Sequence, residues 1–289
     1  MSLKPSSGSA EFVHPGASRG LLDVFSHRYL LTLLIRKEVQ VRYRGSVLGW
    51  LWSYVKPTAQ FIVFFLALGV FLRLNATMEM YPIYLFSGLI VINFFNEAFS
   101  NGTRSIVDNG SLIKKIYLPR EMFPVSSTIV AFVNFLPQLV VTIIVCLVVG
   151  WHPEPLQVLG VLVGLVIIAV LATGLGMFFG AINVSFRDSQ NFVELIVLIV
   201  TWASPVLYPW TTVRDAAPDW LLQIYLTNPV TVAVELFHAG LWYPTTSGSP
   251  DLPPDLFAHA ALGLAISLAV LALGQFVFRR LEGRFAQDL

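Results

Sequence analysis

Charge is the first thing this sequence is short of. Asp, Glu, Lys and Arg make up 12% of its 289 residues, 56% are hydrophobic, and the mean hydropathy is +0.72. A soluble globular domain carries about 25% charged residues. A soluble protein is therefore excluded, and an integral membrane protein is indicated. Cysteine is nearly absent: with Cys146 alone, an intrachain disulfide is impossible, and its place in an apolar run suits a small packed side chain better than a reactive thiol. No G-x-x-x-x-G-K-[ST] phosphate loop occurs, so this chain by itself should not hydrolyse ATP. The histidines, at 14, 27, 152, 238 and 259, are scattered, and no Cys/His cluster has metal-ligand spacing. Acids inside apolar runs are scarce too. Glu97 and Glu194 lie within or beside such runs, too few for a proton relay of the secondary-transporter kind. Both fall near expected cytoplasmic ends, where Arg104 or Arg187 could serve them, so they are either functional acids or, as the favoured reading, members of structural ion pairs. The net charge of +1 carries no information about partners, because the charges are segregated along the chain, and no feature points to nucleic acid.

What is present is a set of long apolar runs. Six are evident, at about Leu51–Leu72, Tyr81–Ser100, Met122–Gly150, Leu156–Asn183, Phe192–Trp210 and Leu256–Phe278. A helical span takes about 20 residues, so each is long enough. Residues 1–20, with Ser, Gly and Pro and no apolar core, read as a cytoplasmic tail rather than a signal peptide. Residues 21–44 read as an amphipathic helix with Leu22, Phe25, Tyr29 and Leu33 on one face. It carries Arg36, Lys37, Arg42 and Arg44 and is too charged to span. It lies either in the membrane interface or packed on protein. The seam from Arg42 to Pro57 places Trp50, Trp52 and Tyr54 where chain meets bilayer, a boundary that Trp and Tyr favour. With the N-terminus inside, Arg73 and Arg214 are the only two of the 18 basic residues that fall outside. That bias sets both termini in the cytoplasm. The domain plan is a tail over 1–20, an interface helix over 21–44, a six-span unit over 45–283 and a cytoplasmic end over 284–289.

Two connecting regions carry possible function. After the second run, Asp108-Asn109-Gly110 marks a turn. Ser111 can cap a short helix over Leu112–Leu118, which Pro119 ends. It would display Lys114 and Lys115 beside Leu112, Ile113, Ile116 and Tyr117, either as a docking knob for a soluble partner or as a solvated turn. Between the fifth and sixth runs, residues 220–242 are apolar but broken at Asn228-Pro229. Two short helices that enter and return fit better than a seventh span, which would put Arg279, Arg280 and Arg284 outside. Asn228 can cap the second, with Glu235 and His238 following. Gly160-x-x-x-Gly164 and Gly176-x-x-x-Gly180 permit close helix approach, chiefly inside one subunit. The 22 Phe, 9 Tyr and 7 Trp are either boundary anchors or a surface on which sugars slide.

Four motifs stand in order on this frame: R-Y-R-x-S-V-L-G-x-L-W at 42–52, N-x-x-L-I-K-K-x-x-L-P-R-E at 109–121, N-V-x-F-R-D at 183–188, and Asn228-Pro229. Together they resemble the permease subunit of polysaccharide-exporting ABC transporters, the Wzm-like family that serves O-antigens, teichoic acids and actinobacterial galactan. The first two runs are similar to the mycobacterial-type galactan exporters. The resemblance covers about 21–281. It implies an all-α membrane protein of the bacterial plasma membrane, working as two copies with two ATP-binding-cassette subunits that hold ATP and Mg, and with no cofactor of its own. The cargo would be a polyprenyl-diphosphate-linked glycan. Arg36, Lys37, Leu112, Lys114, Lys115, Tyr117 and Leu118 would meet the ATPase. Arg42 and Arg44 would meet the diphosphate, unless they only anchor anionic lipid. Trp50, Trp52 and Tyr54 would line the entrance, and Asn228, Pro229 and Glu235 the exit. Two rivals are a small-molecule or drug-exporting permease with the same layout and a membrane-embedded glycan or acyl transferase. The basic helix and aromatic entrance speak against the first, the lack of convergent acids and His against the second.

Overall fold

A computed structural model describes residues 20–43, 45, 49–115, 118–247 and 251–289, without the side chains of Leu22, Phe25, Tyr43, Trp50 and Ala286. Among these residues all regular structure is helical. The interface segment is two helices, α1 (Leu21–Ser26) and α2 (Arg28–Tyr43), broken at His27, whose N–H closes back on Asp23. Next come α3 (Trp52–Phe64), continued by a π-helical stretch Phe65–Phe71, and the single turn α4 (Leu74–Thr77). The long α5 (Tyr81–Asp108) leads into the single turn α6 (Gly110–Ile113). The helices α7 (Met122–Val149) and α8 (Pro155–Ser185) form a hairpin. Gly150 ends α7 with φ +103°, and a reciprocal Glu154–Gln157 capping box with Pro155 starts α8.

The helix α9 (Ser189–Trp202) departs from expectation. Its 14 residues rise about 21 Å, short of the roughly 30 Å hydrocarbon core. The apolar run continues to Trp210, but residues 203–209 leave the helix. Pro205 and Pro209 flank this irregular stretch, in which Ser204, Val206 and Leu207 are buried. Three short helices follow: α10 (Trp210–Ala216), α11 (Asp219–Thr227) and α12 (Pro229–Phe237), the last running into a π-helical turn His238–Trp242. The chain closes with α13 (Leu256–Leu281) and α14 (Phe285–Asp288). Five described helices, rather than six, are long and apolar enough to cross a bilayer.

The core is built around α5. In its most apolar stretch 72% of residues are inside the molecule, against 6% for α3, so α5 is the central post and α3 a peripheral one. It packs on α7, α8 and α12, and α8 packs in turn on α13. These contacts are close because glycines meet. A Cβ on Gly176 would come within 3.3 Å of the Gly102 backbone, and one on Gly274 within 2.2 Å of the Gly174 carbonyl. The glycines of α8 therefore serve packing within the chain. Cys146 faces this core.

A second, smaller cluster lies at the far end of α5. It joins Val24 and Leu34 to Ile106, Ile113, Met122, Phe123, Phe278 and Phe285. The apolar face expected for the interface segment is not the packed one. Tyr29 and Leu33 are exposed, and Leu30, Leu31 and Leu34 make the contact instead.

Candidate functional site

The sequence-predicted residues fall at the two ends of the bundle. At the end holding the smaller cluster, α2 is tied down by polar contacts. Arg42 pairs with Glu97 on α5, and Asn134 on α7 donates to the same carboxylate at 2.7 Å. Lys37 donates to Asn109, just beyond α5. Ser126 on α7 donates to Glu38 at 2.8 Å. Burial pushes the Glu38 carboxyl above its ordinary value, opposed by the Ser126 hydroxyl and by Lys37 and Arg42. The expected ion pairs are present with one exchange of partner: Arg104 meets Glu194 at 3.1 Å, while Glu97 is met by Arg42. Arg36 is exposed beside these ties. Arg44 lies outside the described residues, as does the Trp50 side chain. Trp52 is exposed and Tyr54 half-buried.

The loop after α5 is shorter in its helix than the sequence suggests. Its helical turn is Gly110–Ile113 rather than Leu112–Leu118, and Asn109, not Ser111, precedes it, without a side-chain cap bond. Lys114 and Lys115 form an exposed turn, Ile116 and Tyr117 lie outside the described residues, and Leu112 and Leu118 lean on the smaller cluster. Sequence reasoning missed what holds this loop. The C-terminal residues, read as a plain tail, form α14 beneath it. Asp288 accepts a 2.7 Å bond from Ser185, Arg120 lies 5.7 Å over the Phe285 ring, and a Cβ on Gly110 would come within 3.3 Å of Leu289. The result is a buttressed face carrying exposed cations, suited to receive an acidic protein surface.

At the opposite end of α5, Asn228 caps α12 as expected, accepting from the Val230 N–H at 3.1 Å. Pro229 and Glu235 are buried. Two tyrosines of α5 hold the irregular stretch after α9. Tyr84 Oη shares its proton between the carbonyls of Pro205 (2.7 Å) and Tyr208 (2.8 Å), and Tyr81 Oη donates to Leu207 at 3.3 Å. Non-helical backbone is tolerated at membrane depth where protein satisfies it, and these hydroxyls do so. His238 stacks on Tyr84 at 3.9 Å, continuing a row of rings through Tyr81, Phe65 and Phe61. The aromatic count suggested boundary anchors or a sugar-sliding surface, not that many of the rings would be spent on one another.

With this geometry in hand, comparison with known proteins is decisive. The sequence model of the ABC-2 type transporter family matches residues 29–242. The chain belongs to the ABC-2 type transporter family. The match starts in α2 and ends in the π-helical turn after α12, so it takes in both ends of the bundle. The chain is 29% identical over 267 residues to an O-antigen export system permease protein of Myxococcus xanthus, covering 92% of this chain and 98% of that one. It is 24% identical over 267 residues to an O-antigen export system permease protein of Klebsiella pneumoniae, covering 90% and 95%. A polysialic acid transport protein of Escherichia coli is 23% identical over 207 residues, covering 70% and 77%. As an ABC-2 family member the chain is a transporter permease, not an enzyme.

Proposed function

We propose that the chain is the channel-forming subunit of an ATP-driven exporter of a polyprenyl-diphosphate-linked cell-envelope polysaccharide, of galactan, O-antigen or teichoic-acid type. The observation that carries this reading is the end-to-end match to the two O-antigen export permeases, at 90% or more of both lengths. Two copies form the channel in the bacterial plasma membrane. Two separate ATP-binding-cassette subunits supply ATP and Mg chemistry, in keeping with a chain that has no phosphate loop. Both termini are cytoplasmic. The fifth of six crossings is made by α9 together with the irregular stretch to Trp210, and α11 and α12 re-enter from the outside.

The partition of the chain follows: a tail to residue 20, an interface unit over 21–44, the transmembrane unit over 45–283 and the cytoplasmic end. Arg36, Lys37, Leu112, Lys114, Lys115, Tyr117 and Leu118 meet the ATPase on the buttressed face. Arg42, Arg44, Trp50, Trp52 and Tyr54 form the cargo entrance. Arg42 already has a carboxylate partner in Glu97, so an arriving diphosphate competes with that carboxylate for the guanidinium. Asn228, Pro229 and Glu235 shape the exit. Depletion of the protein in its host should cause one lipid-linked glycan to accumulate in the cytoplasmic leaflet. Normal surface delivery of every lipid-linked glycan after depletion would refute this function.

A further inference from the structure

A cavity of about 350 Å³ opens at the end of the bundle where α4 meets α5. Tyr84, Trp210 and Trp242 contribute to its wall, as do three acids, Glu79, Asp251 and Glu235. Two of the acids have their needs met: Glu79 accepts from the Ser247 N–H and hydroxyl, and Asp251 pairs with Arg214 at 2.9 Å. Glu235 does not. Its side chain is 3% exposed, Oε2 stands 3.7 Å from His238 Nδ1, beyond hydrogen-bond reach, and Oε1 has no partner. His238 bonds the Tyr84 carbonyl through Nε2 at 3.2 Å, stands on the Oε2 side of the carboxyl and leaves Oε1 unmet. Thr231, Glu235 and His238 recur at i, i+4 and i+7 along one face of α12 and its extension, and each carries a buried polar atom without a partner. Unmet buried acceptors are costly, and a carboxylate lining a cavity is relieved by a donor that enters it.

The surrounding groups select the donor. A sugar ring wants free flat aromatic faces, and here those faces are partly used. Tyr84 gives one to His238 and Trp210 gives one to Arg214, whose guanidinium lies 5.0 Å from the ring centroid. Trp242 meets Tyr84 edge-on at 4.9 Å. Negative charge remains available. The rim already displays the matching chemistry, since Arg214 sits on an aromatic ring and between two carboxylates, Asp251 and Asp215. Deeper in, Glu235 beside Tyr84 and Trp242 repeats that pattern, with no Lys or Arg among the described residues that line the cavity. We propose that this cavity binds a primary ammonium group, which donates to Glu235 and balances its charge. The group belongs either to a free small amine or to an amino-sugar unit of the passing glycan. The inference rests on the proposed function for the side of approach and for the passing glycan as one source of the amine.

The test is calorimetric titration of the purified, complete transporter with ethanolamine, glucosamine and glucose at one pH and ionic strength. Both amines should give saturable heat while glucose gives none; saturation by glucosamine alone would assign the site to an amino-sugar. Glu235→Gln should weaken amine binding about ten- to hundredfold. Thr77→Trp, at the exposed mouth and away from Glu235, should abolish it. Equal binding of glucose and glucosamine, no saturable heat from either amine, or unchanged binding by folded Glu235→Gln overturns the proposal. If that variant fails to fold, undiminished amine binding by Thr77→Trp overturns it instead. Binding is read without transport, so the glycan-accumulation experiment and this one can fail independently.

Discussion

Glu38 sits where α2 meets α7, and its carboxyl is raised above the ordinary 4.5 because burial penalises the charged form more than its neighbours favour it. The folded value lies above the unfolded one. The contribution to stability is therefore fully present below the unfolded value and is lost as pH rises through the folded value. The charged form of the side chain works against the contact it makes. Glu38→Gln keeps an acceptor for the Ser126 hydroxyl and removes the charge. It should raise the thermal midpoint of the detergent-solubilised protein at pH 7.5, with the gain shrinking as pH falls to 4.5. A lower midpoint at pH 7.5 would mean that the attraction to Lys37 and Arg42 outweighs the burial cost. This residue also marks a boundary of legibility. The sequence displayed the cations of α2 plainly, but not that two of them, Lys37 and Arg42, are held by Asn109 and Glu97, because such pairings join positions 72 and 55 residues apart.

Elements were readable to the extent that a local rule governed them. The cap at Asn228 follows from near neighbours, and the structure has it. The packed face of α2 was misread because Leu31, Leu34 and Ile35 blur its periodicity, and only α7 decides which leucines are covered. The fifth run is legible only in part, for a similar reason. Its composition suits a span, but the break after Trp202 depends on Tyr81 and Tyr84 supplying hydroxyls from another helix. The glycines of α8 signalled close approach without naming the partner, which for Gly174 is α13. A methyl on Gly274 would meet the Gly174 carbonyl at 2.2 Å, and both groups are backbone, so the helices must part. Gly274→Ala should cost about 1–3 kcal/mol, the usual range for an overfilled core. Its measure is the midpoint of heat-induced aggregation. The control is Gly283→Ala, beside which nothing lies within 4 Å. Equal midpoints for the two variants would show that α8 and α13 do not pack this tightly in the membrane.

For the whole molecule, the decisive property is which end faces the cytoplasm, and the charge distribution bears on it. Among the described residues, the end built from α1, α2, α6 and α14 bears nearly all the basic ones, and the end with Trp210, Trp242 and the cavity bears Arg73 and Arg214. Anionic lipid and the insertion machinery both favour the first as the inner face. Single cysteines can read this directly, because the native Cys146 is buried and inert to a bulky reagent. Pro254→Cys and Gly283→Cys place exposed thiols at opposite ends of α13. A membrane-impermeant maleimide added to intact cells should label the first and spare the second, and the pattern should reverse in inside-out vesicles. Labelling of both from the same side would mean that α13 does not cross. Reversed labelling would invert the molecule, set the Lys114–Lys115 turn outside, and remove the site at which a cytoplasmic ATPase could dock.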